Sequence, residues 1–143
     1  MISLLIVAHG NLGECLIECA IHIQGVRPPA LDSLDLTACE DPSVMLSRTE
    51  DLIRQLDTGD GVLILTDLYG STPCNAVCKA IRIDGVQAVA GVNLPMLLKC
   101  LTYRDQSMDV LLSKAVSGGQ AGIFAVPGDN QSKNNPGSEA SDA

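Results

Sequence analysis

Residues 2–8, ISLLIVA, form a near-continuous apolar run, the pattern of a central parallel strand covered on both faces. From Asn11 the period changes. Leu12, Cys15, Leu16, Cys19, Ala20 and Ile23 recur at three- and four-residue steps, and Gly25 follows as a C-terminal cap, which predicts an amphipathic helix. Residues 30–37 alternate Leu31, Leu34 and Leu36 with Asp32, Ser33 and Asp35, with one slip, as expected of a strand toward a sheet edge. Asp41 before Pro42 reads as a cap plus first helical position, and Met45, Thr49, Leu52, Ile53 and Leu56 supply a buried stripe ending near Asp57. GVLILTD, residues 61–67, predicts a second central strand, and Thr72-Pro73 starts a helix running to about Ile83. VQAVAGV, residues 86–92, is the next strand. A short helix from Pro95 to Leu101 follows, then one capped by Ser107 and running to Val116. The Gly118-Gly119 pair leads to AGIFAV, residues 121–126, expected as a last short strand.

Strands alternating with helices predict an α/β fold, a doubly wound, mostly parallel sheet in the flavodoxin-like order 2-1-3-4. Residues 1–126 are expected as a single domain. Residues 127–143, PGDNQSKNNPGSEASDA, hold no apolar side chain larger than alanine besides proline and are expected to form a disordered tail. At 143 residues and 46% hydrophobic the chain can bury a sizeable core, and its net charge of -8 argues against nucleic acid as a partner. The N-terminus carries neither a basic leader region nor an apolar span of membrane length, so the expected location is cytoplasmic. Of six cysteines, Cys15 and Cys19, and again Cys74 and Cys78, are four apart. They read as reduced thiols packed as small hydrophobes rather than as metal ligands, because no C-x2-C spacing occurs and the chain has two histidines.

Ligands of open parallel sheets bind beyond the carboxyl ends of the strands where strand order reverses, here between strands one and three. His9 ends the first and Asp67 ends the third. A carboxylate that accepts from one ring nitrogen fixes the imidazole tautomer and leaves the other nitrogen as a base or nucleophile. Gly70, Ser71 and Thr72 lead into a helix N-terminus, and Gly10 with Asn11 leads into another, so hydroxyls and N–H groups are available to bind a phosphoryl group or another oxyanion. Spacing alone leaves a structural and a functional His9 about evenly matched; the switch-point position favours function. His22 lies roughly 15 Å or more further along the first helix and reads as a half-exposed surface histidine.

LLIVAHGNLG, GVLILTDLYGSTPCNA and VAGVNLPMLL together resemble the IIA component of the mannose-type branch of the bacterial phosphoenolpyruvate-dependent sugar phosphotransferase system, over about residues 1–126. The resemblance implies that His9 is phosphorylated by phospho-HPr and passes the phosphoryl group to a separate IIB component. It implies that Asp67 orients His9 through Nδ1, so that Nε2 carries the group. The family's serine before the proline falls on Thr72, which keeps the hydroxyl, and its aromatic after the aspartate falls on Tyr69. It further implies a homodimer in which the last strand crosses to the partner's sheet, and contact with the membrane only through permease components. No cofactor or metal is implied. HPr is expected to dock over Leu12, Leu68, Tyr69 and Met96.

Three other functions use the same residues. The phosphotransferase subunit of dihydroxyacetone kinase carries a similar module, with a serine expected where Gly10 follows the histidine here. A metal chelatase also ends a strand in His-Gly but would need a second histidine or a carboxylate cluster, which a cobalt or nickel titration would reveal. A regulatory phospho-switch without sugar transport would share the chemistry of His9.

Overall fold

The computed structural model describes residues 1–68 and 74–129. Its elements are β1 (Ser3–Ala8), α1 (Leu12–Gln24), β2 (Leu31–Asp35), α2 (Pro42–Leu56), β3 (Val62–Thr66), α3 (Cys74–Ala80), β4 (Val86–Ala90), α4 (Leu94–Tyr103) and α5 (Met108–Ala121). All strand pairs are parallel, in the order β2-β1-β3-β4. The two strands with unbroken apolar runs, β1 and β3, are central and wholly buried, whereas β2 and β4 are edges with part-exposed residues. Burial follows the two-residue period of a strand. Leu4, Ile6, Ala8, Leu63 and Leu65 pack with Ile17 of α1, Leu97 of α4 and Leu111 of α5. Leu5, Val7, Val62 and Ile64 pack on the other side with Met45 and Ile53 of α2 and Val77 of α3.

Local chemistry sets the helix ends. Gly25 closes α1 at φ 82, a left-handed conformation that glycine adopts without penalty. Asp41 accepts from the Ser43 N–H at the start of α2, with Pro42 as the first helical residue. Asn93, a cap that the sequence pattern did not single out, accepts from Met96 N–H at 2.9 Å, so α4 starts at Leu94 and runs on to Tyr103. α3 ends at Ala80 rather than Ile83, because the chain tightens into bonds from Arg82 N–H to Lys79 and from Ile83 N–H to Ala80. The expected start of this helix at Thr72-Pro73 lies outside the described residues.

Two expectations are corrected. The strand expected over residues 121–126 is not formed by the chain on its own: α5 continues through Gly118 and Gly119 to Ala121, and residues 123–128 are irregular. The glycines serve helix packing rather than ending the helix. A Cβ on Gly118 would stand 2.7 Å from Lys99 Cβ, and one on Gly119 2.8 Å from Met96 Cε, so α5 approaches α4 only where side chains are missing. This close contact overrides glycine's poor helix propensity. Cys15 and Cys19, expected in the core, are exposed. The buried face of α1 is Gly13, Ile17 and Ala20, and at 100° per residue Cys15 and Cys19 fall on the opposite side. Cys100 is buried as a small hydrophobe, and burial pushes its thiol up to about 12.

At the amino ends of the strands Arg104 is buried, with Nε donating to Ile2 O at 3.0 Å and the two terminal nitrogens to Pro29 O and Ala30 O at 2.7 and 2.6 Å. This clamp joins the end of α4 to β1 and to the approach to β2, at the opposite rim from His9.

Candidate functional site

β1 and β3 pair with Val7 opposite Thr66, so Asp67 follows directly beyond β3 and His9 just beyond Ala8 of β1, and both emerge at the carboxyl edge. Both strands stop there. Gly10 turns the chain at φ 61, and α1 begins at Leu12. The turn directs both the backbone N–H and the ring of His9 toward Asp67. Asp67 Oδ2 accepts the His9 N–H at 3.1 Å and lies 2.9 Å from Nδ1, while Oδ1 accepts the Leu68 N–H at 2.9 Å.

Burial alone would raise the Asp67 carboxyl, but the N–H and ring of His9, the charge that ring can carry and the Leu68 N–H outweigh it and hold the pKa below the ordinary value. An ionised carboxylate only accepts hydrogen bonds, so the proton facing it belongs to Nδ1. In the neutral ring the lone pair is then on Nε2. The His9 side chain is 39% exposed and that of Asp67 17%, so the pair is an accessible imidazole on a mostly covered carboxylate.

A second carboxylate stands at the same rim. Asp35, the last residue of β2, pairs with Ala8, and Leu36 N–H continues the ladder to Ala8 O. The sequence pattern marked Asp35 only as a polar position of an edge strand. Its Oδ1 accepts from Thr37 Oγ1 at 2.6 Å and from Thr37 N–H at 2.7 Å. These two bonds lower its carboxyl pKa against a small desolvation penalty, with further help from the Gly10 N–H and the His9 charge. The signal available in the sequence was Asp-x-Thr at the end of a strand, an Asx turn that aims a carboxylate along the rim.

Of the expected site residues, His9, Gly10 and Asp67 come together, and Gly70, Ser71 and Thr72 lie outside the described residues, as does Tyr69. Leu12 and Leu68 are exposed near the site, at 39% and 57%. Met96, expected at the mouth of the crevice, is instead buried at 4%, because it fills the space beside Gly119 between α4 and α5. His22 sits exposed in the last turn of α1, away from the pair. Among the described residues no three His, Cys, Asp or Glu side chains form a metal-binding group, and no helix is long and apolar enough to cross a membrane.

Fold and site define a parallel α/β protein with a carboxylate-oriented imidazole at its topological switch point. The family described as PTS system fructose IIA component matches residues 3–116, and the chain belongs to that family. It is 31% identical over 128 residues to the mannose-specific EIIAB component of Escherichia coli K12, covering 87% of this chain and 39% of that protein. The chain thus spans about two fifths of the length of that relative. It is 31% identical over 106 residues to the fructose-specific EIIA component of Bacillus subtilis, covering 73% of this chain and 72% of the other. Among solved structures, the mannose/sorbose-specific IIA subunit from Enterococcus faecalis superimposes with a TM-score of 0.77 at 22% identity, over 88% of this chain and 95% of that one, a likeness of fold.

Proposed function

We propose that this protein is a phosphoryl-relay component of the sugar phosphotransferase system, in which His9 takes a phosphoryl group from phospho-HPr and passes it to a IIB component. The observation that carries this reading is the 2.9 Å contact of Nδ1 with Asp67, which leaves Nε2 as the free nucleophile. In the forward step the Nε2 lone pair forms a bond to phosphorus, and the donor's N–P bond breaks with its electron pair returning to the donor nitrogen. The Nδ1 proton stays where it is. As the ring of His9 becomes cationic, the Asp67 carboxylate offsets the new charge, a stabilisation present only once the bond is forming. In the second step the Nε2–P bond breaks toward the acceptor, and the pair returns to Nε2.

Thr72, by resemblance to the family's hydroxyl, and Ser71, Gly70 and Gly10, by their places in the sequence ahead of two helix starts, are assigned the binding of the phosphoryl oxygens. A homodimer with exchanged C-terminal strands accounts for Ile123, Phe124 and Val126, which are 74%, 46% and 87% exposed in an irregular segment following α5. A run of such side chains is more stable covered by a partner's sheet. The location is proposed as cytoplasmic, where the donor proteins act.

The test is incubation with enzyme I, HPr and phosphoenolpyruvate, followed by intact mass of wild type and His9→Ala. An acid-labile gain of one phosphoryl group in wild type and none in the variant is expected. No gain in wild type, with donors shown to be active, would overturn the reading.

A further inference from the structure

We propose that Asp35 is a positioning residue of the His9 site whose fixed negative charge raises the transfer potential of the phosphoryl group. The proposal rests on the relay reading above. β2 ends beside β1 with Asp35 opposite Ala8, one residue before His9. The carboxylate is held there by Thr37 through both its hydroxyl and its N–H, at 2.6 and 2.7 Å, so it leaves this place at the rim only by giving up two short bonds. The Gly10 N–H also favours this anion. Gly10 is the left-handed residue on which the β1–α1 turn depends, at φ 61. Asp35 therefore stands beside the turn that presents the imidazole, on the side of β1 away from β3 and Asp67.

The charge has a second effect. Before transfer the ring is neutral or cationic, and a nearby carboxylate is indifferent or favourable to it. After transfer the ring carries a phosphoryl group of nearly two negative charges, which the same carboxylate repels. Asp67 touches Nδ1 directly and compensates the cationic ring. The phosphorylated residue combines the single positive charge of its ring with about two negative charges on the phosphoryl group, so the net action of Asp35 on it is repulsion. A relay protein benefits, because a phosphoryl group held less tightly moves on more readily to its acceptor.

The experiment measures the equilibrium between phospho-HPr and the protein, by native gel or phosphorus NMR, for wild type, Asp35→Asn, Asp35→Ser and Asp32→Asn. Asparagine keeps an oxygen for Thr37 and loses the charge; Asp32 lies on the same strand without a place in the site. At low ionic strength Asp35→Asn is expected to shift the equilibrium toward the phosphorylated protein by about threefold or more, and Asp35→Ser in the same direction. Raising the salt to about 1 M should shrink the difference, since the interaction is screened over a few ångströms there. Asp32→Asn should leave the equilibrium unchanged. A purely structural role would lower the rate and the thermal midpoint without this salt-dependent shift. Phosphorylated wild type with the same equilibrium as both Asp35 variants would overturn the proposal and leave the relay reading intact. Failure of wild type to accept any phosphoryl group would overturn the relay reading itself.

Discussion

Asp67→Asn isolates the contribution of the carboxylate, because the side chain keeps its size. In the native site Oδ2 accepts two hydrogen bonds from His9 and Oδ1 accepts one from Leu68. An asparagine cannot reproduce this set in either orientation. With its oxygen toward His9, its NH2 faces the Leu68 N–H, donor against donor. With its NH2 toward His9, it opposes the His9 N–H and asks Nδ1 to accept, which moves the ring proton to Nε2 and removes the nucleophile. Either way at least one hydrogen bond to a charged group is lost, about 1.5–3 kcal/mol. Since each 1.36 kcal/mol is tenfold in rate, kcat/KM for phosphorylation by phospho-HPr should fall by roughly 10- to 150-fold. Rapid-quench measurement with limiting donor, alongside far-UV circular dichroism to confirm folding, gives the number. A folded variant within about threefold of wild type would refute the argument that Asp67 sets the tautomer.

Arg104→Met should leave Ile2, Pro29 and Ala30 with buried carbonyls lacking their donor and lower the unfolding free energy in urea by about 3 kcal/mol; a loss under about 1 kcal/mol would mean that water or backbone movement replaces the clamp. Thr66→Val should be neutral or stabilising by up to about 1 kcal/mol, because the buried Thr66 hydroxyl has no partner among the described residues; a clear destabilisation would reveal one. Asp35, Asp41 and Asp67 all have depressed carboxyl pKa values, so the stability they contribute is complete above their unfolded value of about 3.9 and is lost as pH falls toward the folded values. Urea midpoints should accordingly decline from pH 5 to pH 2, and a flat or rising profile would contradict the assigned interactions.

The central strands were legible because a parallel strand covered on both faces has to be apolar throughout, as residues 4–8 and 62–65 are. Once β1 and β3 were placed side by side, the meeting of His9 and Asp67 followed from topology. The Asp41-Pro42 start of α2 was legible because cap chemistry is local. What escaped the pattern was tertiary. Gly118-Gly119 reads as a break on local propensity, and only the approach of α4 explains two glycines in mid-helix. Cysteine counts as apolar in a periodic pattern yet tolerates the surface, so Cys15 and Cys19 drew the expected stripe of α1 away from Gly13 and Ile17, and only Ala20 is shared with the buried face. Met96 looked available for a partner because its motif adjoins the site, but its side chain turns into the helical layer. Asp35 was hidden because its relation to Gly10 depends on the register of β2 against β1, which residue spacing does not encode.

The central claim is that Asp67 holds the proton of Nδ1 so that Nε2 of His9 carries the phosphoryl group. The most direct test is nitrogen-15 NMR of the phosphorylated protein with labelled histidine, reading the chemical shift of each ring nitrogen and its coupling to phosphorus. The account predicts phosphorus coupling at Nε2 of His9 and a protonated Nδ1; coupling at Nδ1, or a phosphoryl group on His22 or any other residue, would contradict it.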